Sequence, residues 1–184
     1  MAVKRILRYQ KETSDYMLCY QGKKDLRLID YSDADWGGDI NQSKSTSGYA
    51  FLLNDSVILW SSKKQSCVAL STIEAEYVAC SIAMKDVVWL RSFLQHLEIV
   101  KTALEPVTIF YDNTVALAVA KDPKYHEKTK HIKKRYHYIK DAIIEKDMVL
   151  KHISTSNLVA DSLTEPIARD IYVRHVRSLS LCRM

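Results

Sequence analysis

The sequence predicts one α/β domain, a mixed five-stranded sheet with flanking helices in the order βββαβααβα. Three observations predict it. Three short strand-like runs follow one another between residues 26 and 60. The apolar period then lengthens to about 3.6 residues over positions 71–97, and two later apolar strands are separated by helical sequence.

Taken in order, residues 3–10 place Val3, Ile6 and Leu7 at helical spacing, and Asp15–Gln21 reads as a strand or a connector. Strands are expected at Leu26–Asp35, Gly48–Leu53 and Val57–Trp60, the last two joined by Asn54-Asp55, a good tight-turn pair. Residues 71–97 contain no Pro or Gly, and Ala79, Ala83, Val87, Leu90, Leu94 and Leu97 mark the apolar face of a long helix. Ser71 with Glu74 three residues on is a capping-box signature at its start. Pro106 precedes the strand Val107–Tyr111, and a short helix is expected from Thr114 to about Lys121. Asp122-Pro123 breaks that helix, and a basic one runs from Thr129 to Lys146. A fifth strand follows at Met148–Ile153, then a short helix carrying Asp161, capped by Thr155 or Ser156. The tail from Pro166 has loosely helical spacing at Ile167, Ile171 and Val176.

A chain of 184 residues with 47% hydrophobic and 27% charged residues can bury a core of its own, and only 4 Gly and 3 Pro argue against long flexible linkers. The net charge of +5 is compatible with a polyanionic partner. Cys19, Cys67, Cys80 and Cys182 form no C-x-x-C pair, so neither a zinc site nor a disulfide framework is expected. The N-terminus is charged at Lys4-Arg5 and lacks the apolar core of a secretory signal, and no run approaches the roughly 18 apolar residues of a membrane span. An intracellular chain, cytoplasmic or nuclear, is the expectation.

The chemistry concentrates in acids at the ends of elements. Tyr31-Ser32-Asp33-Ala34-Asp35-Trp36-Gly37-Gly38 is a strand running into a turn, and Asp112 repeats the pattern after Val107–Tyr111. Carboxylates on rigid strand ends suit a hard divalent cation. Glu74 and Glu76 lie about 200° apart on the helix, at about 100° per residue. Glu76 heads the apolar row Ala83, Leu90, Leu97, whereas Glu74 heads a row with Ser81, Lys85 and Ser92 that should face solvent. Glu76 is therefore the better candidate. Asp161 sits between Leu158 and Leu163. Four convergent acids would repel one another unless cations neutralise them. Strand parity alone leaves Asp33 and Asp35 equivalent.

With these residues in view, the chain resembles a Copia-type retrotransposon ribonuclease H domain over about residues 26–168. The resemblance rests on Tyr31–Gly38, Lys44-Ser45-Thr46-Ser47-Gly48-Tyr49, Trp60–Gln65, Val68–Thr72 with Glu74-Ala75-Glu76-Tyr77, Tyr111-Asp112-Asn113, Lys128–Ile132 and Ala160-Asp161. It implies a ribonuclease H-like fold and places the acidic tetrad on Asp33, Glu76, Asp112 and Asp161, favouring Asp33 over Asp35. It also implies hydrolysis of the RNA strand of an RNA–DNA hybrid with two Mg²⁺ ions, or Mn²⁺ in their place, and a reverse transcriptase domain as partner in a parent polyprotein. The expected organisation is a connection segment at 1–24, the ribonuclease H domain at 25–168 and a C-terminal tail at 169–184.

Two departures stand out. Cellular relatives often carry a His in the loop before the last helix, where this chain has Ser154-Thr155-Ser156, and Glu165 stands where relatives usually have Lys. Substrate contacts are expected from the basic, Tyr-interleaved segment containing Lys128, Lys130, Lys133, Lys134 and Arg135, and from Lys63 and Lys64. Ser71, Thr72 and Asn113 are placed to read ribose 2′-hydroxyls. A non-cleaving nucleic-acid-binding remnant is the alternative reading, against which the presence of all four acids counts.

Overall fold

The computed structural model describes residues 2–22, 26–39, 41–97, 105–114 and 130–184, with the side chains of residues 2, 130–133 and 136 outside the description. The expected short helix after Thr114 and the start of the basic helix fall outside the described residues.

Helix α1 (Ala2–Glu12) and strand β1 (Tyr16–Leu18) lead into β2 (Leu28–Asp35), β3 (Thr46–Leu53) and β4 (Ser56–Lys64). Then come α2 (Thr72–His96), β5 (Val107–Tyr111), α3 (Lys130–Ile144) and β6 (Met148–His152). Two 3₁₀ turns, Thr155–Asn157 and Val159–Leu163, precede α4 (Arg169–Ser178) and β7 (Leu181–Arg183). The main sheet has the order β4-β3-β2-β5-β6. Strands β2, β3 and β4 form an antiparallel meander, while β5 and β6 add in parallel to β2. This is the mixed five-stranded α/β sheet that the periodicity predicts.

Local chemistry accounts for the boundaries. Asn54 and Asp55 both adopt positive φ (57° and 64°), the conformation of a tight hairpin turn that such residues tolerate. Strand β4 runs four residues past the expected Trp60, because its polar end, Ser61–Lys64, still pairs with Thr46–Tyr49. Ser71 caps α2 by accepting the Glu74 amide at 3.2 Å, while Glu74 reaches back to the Leu70 amide at 2.6 Å. The Asp161 segment folds as 3₁₀ turns instead of the expected α-helix.

Helices α2 and α3 cover one face of the sheet. Phe51, Met84, Val87, Ile109, Ile139 and Met148 form the centre of that core. Ser81 is buried there at 2% exposure, not on a solvent face, because α3 closes over its flank of α2. Across the sheet a smaller cluster joins Ala50, Leu52 and Val57 to Leu18, Ile29, Tyr31, Leu163 and Leu179. Its cover comes from both ends of the chain. Strands β1 and β7 pair antiparallel, Tyr16 opposite Arg183, and the Arg183 guanidinium stacks 5.0 Å over the Tyr16 ring. Tyr9 and Tyr172 join their hydroxyls at 2.7 Å. Among the described residues no helix is long and apolar enough to cross a membrane.

One core position is costly. Asp30 faces α2 with no exposed surface, and only the Tyr31 and Ala50 backbone amides approach its carboxyl, neither in full hydrogen-bond geometry. Burial holds its pKa well above the ordinary range; the Tyr31 amide opposes that shift and the Asp86 carboxylate reinforces it. The folded chain therefore keeps a proton that the unfolded chain releases, so this position lowers stability as pH rises above the unfolded value of about 4. Asp30→Asn is expected to raise stability at neutral pH by about 1–3 kcal/mol, a gain that shrinks toward pH 4. Urea melts at several pH values would show it; an unchanged or lower midpoint at neutral pH would refute it.

Candidate metal centre

Strands β2 and β5 are parallel neighbours, with Tyr31 opposite Phe110 and their rings stacked at 5.3 Å. Two residues further along each strand come Asp33 and Asp112, so both acids leave the sheet at one edge. The first turns of α2 bring Glu76 to the same point from the helical layer. One carboxylate oxygen from each of Asp33, Glu76 and Asp112 lies within 4.8 Å of the others.

Asp161 reaches this edge from the opposite layer. Its 3₁₀ turn packs on the sheet through Leu163, leaving Asp161 buried at 7% exposure. It lies outside the tight group of three but close enough to feel it. Burial and the charges of Asp33, Glu165 and Asp112 raise its pKa to about 6. Asp33 is also raised to about 6, by burial against the opposing Thr164 hydroxyl bond, with Asp112 adding to the rise. Glu76 is raised to about 9 by burial, then by Asp33 and Asp112.

Ionising such a group together in a low-dielectric pocket costs free energy that positive charge among it would offset. The oxygens of Asp33, Glu76 and Asp112 are hard donors spaced within reach of one ion, and they suit a divalent cation. Asp35 is differently placed. A Cβ built on Gly38 would lie 1.7 Å from Asp35 Oδ2, so this carboxylate folds over the Gly37-Gly38 turn. Gly37 itself has a positive φ of 70°, which the turn needs.

Two hydroxyls complete the surroundings. Thr164 Oγ1 donates to Asp33 Oδ2, and Thr155 Oγ1 donates to Asp112 Oδ2 at 2.6 Å. In the sequence Thr155 reads as a candidate helix cap, and Thr164 carries no site signal. No spacing rule links either to a carboxylate more than forty positions away, and only the folded loop does. Gly48 is the third missed residue. It pairs with Asp33 across β2 and β3, and a Cβ there would meet Thr164 Cγ2 at 2.7 Å, with the Ala160 carbonyl oxygen and Leu163 Cβ at 3.0 Å. Gly48→Ala should push the Asp161 turn off the sheet, costing about 1–3 kcal/mol of stability and weakening any divalent-ion binding. A thermal melt and an Mn²⁺ titration of the variant would test this, and wild-type values in both would refute it.

The polar and basic candidates separate into groups. Lys63 and Lys64 are exposed at the end of β4, Lys64 pairing with Asp39 at 2.7 Å. Thr72 is exposed at the start of α2 beside the capping Ser71, and half-buried Asn113 follows Asp112. Lys134 is exposed on α3. Arg135 turns inward, donating to Ser81 Oγ at 2.6 Å, so it joins α3 to α2 where the sequence suggested an open contact. Lys130 and Lys133 stand on α3 with side chains outside the description, and Lys128 lies outside the described residues.

The chain is 40% identical over 169 residues to the retrovirus-related Pol polyprotein of transposon TNT 1-94 from Nicotiana tabacum, a match covering 92% of this chain and 12% of that one. It is 35% identical over 183 residues to the corresponding polyprotein of transposon RE2 from Arabidopsis thaliana, covering 100% of this chain and 12% of that one. Its homologues over nearly the full chain are thus Copia-type retrovirus-related Pol polyproteins. It spans about an eighth of the length of these relatives. No protein-family model matches it.

Among solved structures, it shares its fold with LC11-RNase H1, isolated from compost, in complex with an RNA/DNA hybrid. The TM-score is 0.52 at 19% identity, covering 75% of this chain and 94% of that one. A foamy viral protease-reverse transcriptase, also in complex with an RNA/DNA hybrid, contains the fold within a longer chain. There the TM-score is 0.53 at 16% identity, covering 85% of this chain and 22% of that one. The Pol homologue thus has a ribonuclease H fold, and the four acids and two threonines stand at one edge of its sheet.

Proposed function

We propose that the chain is a metal-dependent endoribonuclease that hydrolyses the RNA strand of RNA–DNA hybrids. The observation that carries this reading is the meeting of Asp33, Glu76 and Asp112 within 4.8 Å at the edge of the sheet. Asp33, between the other two acids and the Asp161 turn, is the central ligand; Glu76, Asp112 and Asp161 complete the set. Two divalent ions held there supply an activated water and charge neutralisation at the scissile phosphate.

The chain's own groups bind and orient. Lys63, Lys64 and Lys134 offer exposed positive charge to the phosphate backbone, which makes binding salt-dependent. Ser71, Thr72 and Asn113, close in sequence to Glu76 and Asp112, would read 2′-hydroxyls across the wide minor groove of a hybrid. The burial of Asp33, Glu76 and Asp161 excludes bulk water and strengthens their hold on a cation. On this reading residues 1–24 derive from a reverse transcriptase connection, 25–168 form the catalytic domain and 169–184 a tail, with a reverse transcriptase as partner.

The test is a cleavage assay on an RNA–DNA hybrid with Mg²⁺, with and without EDTA, beside a binding assay. Cleavage of the RNA strand alone, abolished by EDTA, supports the proposal. Binding without cleavage selects the alternative, a non-cleaving nucleic-acid-binding remnant.

A further inference from the structure

The segment that delivers Asp161 also delivers two hydroxyl groups to the acids of other elements. Thr155 opens its first 3₁₀ turn and Thr164 closes its second, and they donate to Asp112 on the β5 edge and Asp33 on the β2 edge. A threonine hydroxyl carries one proton, and a carboxylate is its strongest ordinary acceptor. Each bond therefore fixes one carboxylate rotamer while leaving lone pairs for another partner, since an ionised carboxyl offers about four acceptor sites.

The donors are themselves held. Leu158, between the two turns, is fully buried. The Ser156 carbonyl, next to Thr155, is met by His175 Nε2 at 3.3 Å and Arg174 Nη1 at 3.4 Å, both from α4. Thr164 lies in the space that Gly48 leaves open, and its hydroxyl also sits 3.0 Å from the Asp161 carbonyl oxygen. One anchored segment of ten residues, from Thr155 to Thr164, thus ties three acids from three elements together.

We infer that Thr155 and Thr164 are positioning residues of the metal centre, holding Asp112 and Asp33 in the rotamers in which they share a divalent ion with Glu76. The inference rests on the metal-dependent reading of the site. Its physical content is preorganisation: four repelling carboxyl groups would otherwise turn apart when no cation is bound, and an ion would have to gather them. Neither hydroxyl is given a role in the reaction itself.

The test compares the wild type with Thr155→Val, Thr164→Val and the two Ser variants. Mn²⁺ binding is measured calorimetrically without nucleic acid, and hybrid cleavage is measured in parallel. Valine keeps the shape and removes the donor; serine keeps the donor. Each Val variant is expected to weaken Mn²⁺ binding by about 10-fold or more and to lower kcat with KM for the hybrid little changed. Each Ser variant should return both to within about threefold of the wild type.

A merely structural role would lower the melting midpoint without a selective loss of ion affinity, and serine, lacking the methyl group, would not rescue it. Val variants that bind Mn²⁺ as the wild type does, or Ser variants no better than Val, overturn the positioning role alone. A wild type that binds no Mn²⁺ overturns the metal centre, and this assignment with it.

Discussion

Asp33→Asn is expected to reduce hybrid hydrolysis by ~10³-fold or more, since losing the central ligand forfeits several kcal/mol of charge stabilisation. Hybrid binding should survive and even tighten. Asparagine fills the same volume and still accepts from Thr164, so the site keeps its shape. What disappears is one negative charge, which helps to raise the pKa values of Glu76 and Asp161, and with it part of the repulsion toward a phosphate backbone. The metal-free variant should also melt higher than the wild type, because a charge-repelled buried acid has been removed. Asp35→Asn is the matched control. Its carboxylate folds against Gly38, and the variant should retain most of the activity. Wild-type hydrolysis by Asp33→Asn, or an equal loss in Asp35→Asn, would sink the assignment.

The second large effect is a pH-dependent stabilisation by divalent ions. Asp33 and Asp161 are raised to about 6 and Glu76 to about 9, from unfolded values near 4. A carboxyl raised on folding holds its proton more tightly in the folded chain. Its favourable contribution is therefore complete below about pH 4 and is lost as pH rises through the folded value. Over this window the metal-free chain loses stability at this site. A cation competes with those protons, so its stabilising effect must grow over the same range. At ~100 times its Kd an ion contributes about 2.7 kcal/mol, a rise in Tm of roughly 5–10 °C for a chain of this size near pH 8, shrinking to almost nothing near pH 5. Thermal melts with Mg²⁺ or EDTA at both pH values measure it. An increment independent of pH, or larger at low pH, would contradict a site built from these acids.

The two sets of residues differ in how far sequence could reach them. Asp33 and Asp112 were visible because each ends an apolar strand, and Glu76 was separated from Glu74 by the helical period alone. Those are local patterns, and the structure places the three side chains together as the patterns suggest. Ser81 shows the limit of the same reasoning. By periodicity its row on α2 faces solvent, but a second helix packs there and buries it against Arg135. A helix has two flanks that tertiary neighbours can cover, and its own period names only the most apolar one.

The ends of the chain show the limit more sharply. The expected connection segment at 1–24 and tail at 169–184 come with no packing role assigned from the sequence. In the structure they pair as β1 and β7, cover the outer face of the sheet, and through His175 and Arg174 hold the loop that brings Thr155 to Asp112. That pairing joins Tyr16 to Arg183, a separation across which no sequence periodicity carries information.

By itself, the sequence determined the order of elements, the five-stranded sheet and the places where acids leave strand ends. These follow from backbone periods of two and about 3.6, which operate within a few residues. Only the tertiary structure decided which groups surround those acids. The Thr155 and Thr164 bonds, the opening at Gly48 and the inward turn of Arg135 depend on elements far apart in sequence meeting at set distances. Hydrogen bonds and close packing act over a few ångströms of space, whatever the separation along the chain.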